Sequence, residues 1–348
     1  MTTLQHENWL DTVLPTHARL TKSVVSIVES LLHDNGIDYL AVTGRTKDRA
    51  SALEKINRKS YSDPAQNMTD LSGIRIVLYF ESDVQKVGEL IKTAFEVDEQ
   101  NSLDKDSLLS TNQVGYRSVH YVCGLGAKRA EIDEYKMFTA LKFEFQVRTV
   151  LQHAWAELAH DRKYKFSNTL PPELERQLFL YAGLLEIADK GFDQTAKAID
   201  NYSSNLQRRT SHGDLNFGVD SLSLVAYIEH WADQNDVKVA VKNWPDGISL
   251  LVRELHEFGI KTLSELEEII PEDYAKIAPQ VDESLTIFGV VRDWMLIKDW
   301  RRFKRDVEFD WFMSRSTAVE RFLSPEEYAD FQRSFKWVPG HDESSDIE

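Results

Sequence analysis

The run LKFEFQVRT, Leu141 to Thr149, repeats with a period of two: Phe143, Phe145 and Val147 against Glu144, Gln146 and Arg148. Successive side chains of a strand point to opposite faces, so the run reads as a strand with one apolar and one polar face. A carboxylate flanked by large apolar residues is costly unless it is paired or binds a metal. LSGIRIVLYF, from Leu71 to Phe80, is rich in β-branched and aromatic residues and is the clearest strand of the chain. In QVGYRSVHY, Gln113 to Tyr121, alternation puts Tyr116, Ser118 and His120 on one side and Arg117, Val119 and Tyr121 on the other. Neither side is plainly apolar.

Helices separate these strands. Apolar residues recur at near-helical spacing from about residue 7 to 35, and Asn35-Gly36 stops the pattern. IDYLAVTG then reads as a short strand ending in a turn at Gly44, and RTKDRASALEKINRKS as a helix with few apolar residues. DVQKVGELIKTAF is an amphipathic helix, FEVDEQN a further strand, and VLQHAWAELAHDRKYKF a helix. Strands mixed with helices argue an α+β or α/β core ending near Phe166. A helix opened by Pro171-Pro172 follows, and DNYSSNLQRRTSHGD reads as a linker to a run of short helices. With 348 residues, the chain is expected to form two domains, at 1–205 and 210–340, with a disordered tail at 341–348.

Composition excludes several classes. The net charge of −16 argues against non-specific coating of nucleic acid. Cys123 is the single cysteine, so neither an internal disulfide framework nor a cysteine-based zinc cluster is available. The first residues lack a basic start and a continuous apolar run, and no stretch reaches the ~18 apolar residues of a membrane span. These features predict a cytoplasmic protein that does not engage membranes.

Three constellations could carry chemistry. Lys47, Ser51 and Lys55 are four apart, with Arg58 three further on and Arg45 at the start of the expected helix. One helix face so built can grip a polyphosphate, or be a solvated basic face. Asp70, ahead of one strand, and Glu144, within another, could hold Mg²⁺ against phosphates. They could equally be a turn residue and an ion-paired surface position. Tyr116 offers a stacking face for a base, and Ser118 and His120 can reach phosphate or sugar, or be core residues. The His-Asp pairs at His33-Asp34 and His160-Asp161 lack the further ligands of a metal-dependent phosphohydrolase, and too few residues precede the basic helix for such a domain. His153, Glu157 and His160 give one Glu-x-x-His where a di-iron site needs two. No Walker loop or GxGxxG is present.

Taken in order, GRTKDRASALEKINRK, MTDLSGIRIVLYF, VGYRSVHYV and FEFQVRTVLQHAWAELAHDRKYK closely resemble the RelA/SpoT synthetase domain over roughly residues 20–200. The resemblance implies a nucleotidyltransferase-like mixed sheet flanked by helices. It also implies transfer of diphosphate from ATP to the 3′-hydroxyl of GDP or GTP, which makes (p)ppGpp. On that basis Arg45, Lys47, Ser51, Lys55 and Arg58 would serve ATP, and Asp70 and Glu144 would bind Mg²⁺, Glu144 also orienting or deprotonating the hydroxyl. Tyr116 would stack on the acceptor base and His120 contact its phosphate, with Arg75, Gln146 and Arg148 in support.

One position departs from the pattern. Many members read Lys-x-Asn-Gly-Tyr before the tyrosine; here Val114 replaces the amide residue, and Lys105 is the nearest upstream lysine. Adenosine nucleotides or the 3′ end of tRNA, used by toxic relatives, therefore stand beside guanosine nucleotides as acceptors. A catalytically silent nucleotide sensor is a third expectation. The acidic, tryptophan-rich region at 210–340 reads as an inhibitory module, a partner-sensing module or an oligomerisation region. Its KDWRRFKRD run, Lys298 to Asp306, reads as a solvated helix face or an RNA-binding patch.

Overall fold

The protein is described here from a computed structural model, covering residues 3–104, 118–163, 171–240, 247–313 and 317–338. Two compact units divide the chain, Met1–Ala196 and Lys197–Glu348. The break falls inside a helix, and the stretch expected as a linker is helical to Ser211.

The first unit is built on a mixed sheet. Helix α1 (Thr3–Asp34) leads to β1 (Tyr39–Thr46), then α2 (Arg49–Lys59), α3 (Pro64–Asn67) and β2 (Ser72–Leu78). Next come α4 (Glu81–Ala94), β3 (Glu96–Val97), β4 (Leu103–Asp104), β5 (Val119–Gly124) and α5 (Ala127–Ala130). The unit continues with β6 (Phe143–Thr149), α6 (Val150–Lys163) and the start of α7 (Pro172–Ser211). The strand order is β1-β2-β6-β5-β3, with β4 also on β5. β2 and β6 run parallel, and the other pairs are antiparallel.

The alternation expected for β6 holds. Phe143, Phe145 and Val147 are fully buried, beside Ile74, Ile76 and Leu78 of β2. Leu20, Val24, Val28 and Leu32 of α1 and Val84, Val87 and Ile91 of α4 complete this core. Phe95 meets Phe143 edge-on at 5.6 Å and Phe145 at 5.2 Å between ring centroids. α1 stops where Asn35-Gly36 was expected to stop it, with Gly36 in the left-handed region at φ 62°.

Two boundaries differ from the sequence reading. β1 does not end in a turn at Gly44 but runs on to Thr46, and α2 begins only at Arg49. Gly44 is needed for close approach rather than for a turn, since a Cβ there would lie 2.6 Å from Thr21 Cγ2 and 2.8 Å from Val25 Cγ2 of α1. Of the strand expected from Gln113 to Tyr121, residues 113–117 lie outside the described residues, and the described strand runs from Val119 to Gly124. Tyr121 turns to the core and His120 to the opposite face, as the alternation implies.

α1 is also pinned to the start of β2. The buried His17 ring nitrogen Nδ1 lies 2.8 Å from Ser72 Oγ, and Ser72 Oγ donates to the His17 carbonyl at 3.2 Å. α7 docks through two carboxylates one turn apart: Thr149 Oγ1 donates to Asp189 at 2.5 Å, and the Ser82 backbone N–H donates to Asp193 at 3.0 Å.

The second unit is helical, with α8 (Ser221–Gln234), α9 (Gly247–Phe258), α10 (Leu263–Glu267), α11 (Tyr274–Val281), α12 (Ile287–Asp306) and α13 (Pro325–Ser334). Capping boxes start three of them, Asp220 with Ser223, Thr262 with Glu265, and Ser324 with Glu327. Its core holds Trp294, Tyr274, Phe258, Phe303 and Phe331, all nearly inaccessible. Among the described residues, no helix is long and apolar enough to cross a membrane.

Phe145→Ala should cost about 3–5 kcal/mol, because a fully buried ring is lost from a packed aromatic cluster. Urea denaturation followed by tryptophan fluorescence would measure it. Burial lowers the His17 pKa from 6.5 to about 4. The unfolded chain then binds the proton first, so stability is complete above pH 6.5 and falls as pH drops toward 4. His17→Gln should flatten that loss relative to the wild type, as read from urea midpoints across the window.

Candidate active site

The side of the sheet opposite the α1 and α4 core collects polar residues from four strands. Register sets Thr43 of β1 against Arg75, and Arg45 against Gly73. It sets Gly73 of β2 against Glu144 of β6 and Arg75 against Gln146, while His120 of β5 also faces Gln146. A cavity of about 340 Å³ opens there, lined by residues of β1, β2, β6 and α6 with Lys47 and Asp70.

Asp70 lies in the short segment ahead of β2, and its Oδ2 accepts from Lys47 Nζ at 2.8 Å and from Lys55 Nζ at 2.5 Å. Among the described residues, its other oxygen, Oδ1, is buried without a hydrogen-bond partner. Burial pushes the carboxyl group up, but the two lysines outweigh it and hold the group below its ordinary range. Lys47 reaches this point from the turn between β1 and α2, and Lys55 from within α2. The expectation that Lys47, Ser51 and Lys55 share one helix face is therefore corrected: Lys47 precedes the helix, and Asp48 is the N-cap. Asp48 accepts from the Ser51 backbone N–H at 2.9 Å, which makes Ser51 part of the helix start. Arg45 and Arg58 are exposed, and Arg45 lines the cavity from β1.

Glu144 is the second carboxylate. His120 Nδ1 lies 2.7 Å from its Oε1, and Gln146 Nε2 donates to its Oε2 at 3.2 Å. Arg148 Nη2 donates in turn to Gln146 Oε1 at 3.0 Å. Burial raises the Glu144 pKa, and the His120 and Gln146 contacts more than offset that, leaving it lowered. Arg75 pairs with Glu157 of α6 at 2.8 Å. His153, one turn earlier on α6, is held neutral to lower pH by burial and by the Arg75 charge.

The structure thus brings Lys47, Lys55 and Asp70 together at one edge of the cavity and joins His120, Glu144, Gln146 and Arg148 in one chain of hydrogen bonds. Tyr116 lies outside the described residues. Glu157 was considered only as part of a dismissed metal motif, yet it lines the cavity and carries the Arg75 ion pair. Its signal was available: it lies on the helix directly following β6, one turn after His153. Among the described residues, no group of three or more His, Cys, Asp or Glu side chains is placed to hold a metal. Asp70 with Glu144 is a two-carboxylate set, which suits an ion that keeps waters or substrate phosphate oxygens as its remaining ligands. The unpartnered Asp70 Oδ1 fits such an ion.

Residues 44–169 match the model of the region found in RelA/SpoT proteins. This stretch is similar to the RelA/SpoT region. Two curated relatives from Bacillus subtilis strain 168 align with part of this chain. GTP pyrophosphokinase YjbM is 32% identical over 140 residues, 39% of this chain and 62% of the relative. GTP pyrophosphokinase YwaC is 27% identical over 183 residues, 51% of this chain and 83% of the relative. The chain therefore spans under two thirds of the first relative's length. The solved small alarmone synthetase 1 from Bacillus subtilis is 24% identical, with a TM-score of 0.46, and the match covers 56% of this chain and 98% of that one. Lys47, Lys55, Asp70, Arg75, Glu144 and Glu157 all fall within the matched stretch.

Proposed function

We propose that the protein is an ATP-dependent diphosphotransferase that moves the β,γ-diphosphate of ATP to the 3′-hydroxyl of a guanosine nucleotide, forming (p)ppGpp. The observation that carries this reading is the pairing of two acidic groups, Asp70 with its unpartnered Oδ1 and Glu144, in a cavity rimmed by Arg45, Lys47 and Arg75. That is the charge pattern phosphoryl transfer needs: cations for the phosphates, and carboxylates for a metal and the attacking hydroxyl. The sequence similarity to two GTP pyrophosphokinases supports it.

In the reaction, the acceptor 3′-oxygen forms a bond to the β-phosphorus as the bond to the α,β-bridging oxygen breaks, and AMP leaves. Asp70 and Glu144 are the residues that would hold Mg²⁺, whose charge would reduce repulsion between the phosphates and the incoming oxygen. Lys47 and Lys55 would turn from Asp70 to the ATP phosphates, with Arg45 and Arg58 on the exposed side and Ser51 at the helix start. Glu144 would orient the hydroxyl and take its proton, as its lowered pKa keeps it ionised near neutral pH. Tyr116 would stack on the acceptor base; Arg75, Gln146 and Arg148 would support the acceptor side. Val114 sits where the family often carries an amide, so the acceptor is the component to test most broadly.

Labelled ATP incubated with GDP, GTP, ADP and bulk tRNA in the presence of Mg²⁺ should give transfer to GDP or GTP, and Glu144→Ala should abolish it. Label on tRNA or ADP alone would reassign the acceptor, and no transfer to any of them would overturn the enzyme reading. Lys55→Met should weaken binding of a non-hydrolysable ATP analogue roughly tenfold or more, because a charge-assisted phosphate contact is lost. Isothermal titration calorimetry would measure it.

A further inference from the structure

Asp70 carries two cations on one oxygen. Lys47 Nζ donates to its Oδ2 at 2.8 Å and Lys55 Nζ to the same atom at 2.5 Å. All three side chains are largely withdrawn from water, at 18% exposure for Asp70, 14% for Lys47 and 22% for Lys55. Ion pairs at this depth are weakly screened, and stripping the partners from one member leaves a poorly solvated charge.

The backbones of the three residues are fixed, while the lysine side chains keep their freedom. The Lys47 N–H donates to the Leu71 carbonyl at 2.9 Å, which ties the turn after β1 to the residue following Asp70. α2 is seated by the buried Ala52 and Ile56, which flank Lys55. What can change is the group each ammonium meets at the end of its flexible four-carbon stem. Lys47 and Asp70 line the same cavity, so a phosphate entering it competes with Asp70 for the same nitrogen. An ammonium has three donors and can touch both anions, but that gathers carboxylate and phosphate around one cation. Glu144 adds to the crowding, because its charge and that of Asp70 already repel one another.

We infer that Asp70 is a latch on Lys47 and Lys55, which are released to a polyphosphate only when a divalent cation replaces them at the carboxylate. The inference rests on the diphosphotransferase reading above and adds a condition to it: the lysine–phosphate contacts depend on metal at Asp70. The buried Oδ1 gives such a cation a place to engage while Oδ2 still holds the lysines. The two ammonium charges in turn hold off a divalent cation arriving by itself. Polyphosphate and metal therefore favour each other through Asp70, each raising the affinity of the other by the same factor. A polyphosphate without metal is left to meet a latched site.

Isothermal titration calorimetry of the full chain with α,β-methylene-ATP, once with Mg²⁺ and once with EDTA, tests this without turnover. With Mg²⁺, Lys47→Met and Lys55→Met should each weaken binding about tenfold. With EDTA each should cost about twofold or less, because the lysine stays on Asp70. Asp70→Asn should tighten binding in EDTA about tenfold, and in that background Lys47→Met should again cost about tenfold. A carboxylate that acted only through its field at a distance would leave the cost of Lys47→Met the same in both backgrounds, and that result would overturn the latch. The lysine variants keep the test independent of how well Asp70→Asn folds: equal losses with and without Mg²⁺ would overturn the latch as well. Failure of the wild type to bind the analogue in either buffer would overturn the ATP-site reading together with the latch, whereas binding with metal-independent lysine losses would overturn the latch alone.

Discussion

The parallel pairing of β2 with β6 is the constraint on which the site depends. It sets Gly73 opposite Glu144 and Arg75 opposite Gln146, so the two strands present one continuous polar face. On the other side, the same register stacks Ile74, Ile76 and Leu78 beside Phe143, Phe145 and Val147. A slip of one residue would send Glu144 and Gln146 into the aromatic core and the phenylalanines to solvent. The hydrophobic effect therefore fixes the position of the polar face without any contribution from the polar groups themselves. β1 and β5 extend that face by pairing antiparallel on either side, which adds Arg45 and His120 to it.

Placing carboxylates on this face has an electrostatic cost, and the two groups meet it differently. Asp70 is held by two full positive charges on one oxygen, an arrangement that leaves the other oxygen buried and unpartnered. Glu144 is held by one ring and one amide, the His120 imidazole at one oxygen and the Gln146 amide at the other. Asp70 thus lies where cations are concentrated, and those cations can be shared with an incoming polyanion. The strongly acidic balance of the whole chain does not conflict with a cavity that carries three basic side chains, Arg45, Lys47 and Arg75, since the fold gathers them from separate segments.

The period-two runs made β2, β6 and the two-faced sheet legible, because burial on one side leaves a direct imprint on residue spacing. The basic cluster was legible as chemistry but not as geometry. Lys47, Ser51 and Lys55 have helical spacing, yet β1 continues through Gly44, and the helix waits for Asp48 to cap it. Nothing in the spacing reveals that a strand will pass through a glycine that packs against a preceding helix. The helical state of the expected linker was hidden for a related reason: DNYSSNLQRRTS is polar and contains good capping residues, but it continues a helix whose earlier turns are anchored by Asp189 and Asp193. Tertiary anchoring overrode local composition. The engagement of His120 with Glu144 and Ser118 was not legible either, since it depends on a diagonal contact between strands far apart in sequence.

The second unit shows why a run of basic residues need not be a binding surface. In KDWRRFKRD, Arg301 lies over the Trp300 ring at 4.1 Å and near Asp330 at 3.6 Å. Arg302 lies over Phe258 at 4.8 Å, and Arg305 pairs with Asp306 at 2.7 Å. Binding to nucleic acid draws its strength from cations that release counterions on contact, and cations already neutralised by local carboxylates have less to release. The run is not even one helix: the backbone of Asp299 is non-helical at φ −166° and ψ 86°, and its carboxylate accepts from the Arg302 N–H at 2.9 Å, capping the second half afresh. On the first half, Arg292 forms a bidentate pair with the fully buried Glu254 of α9, and Trp311 Nε1 donates to the same carboxylate. The adjacent Asp293 accepts from Tyr274 and Thr317. Neighbouring residues of α12 thus tie it to separate parts of the unit, and Arg301, Arg302 and Arg305 of the run each meet a ring or a carboxylate of the same unit.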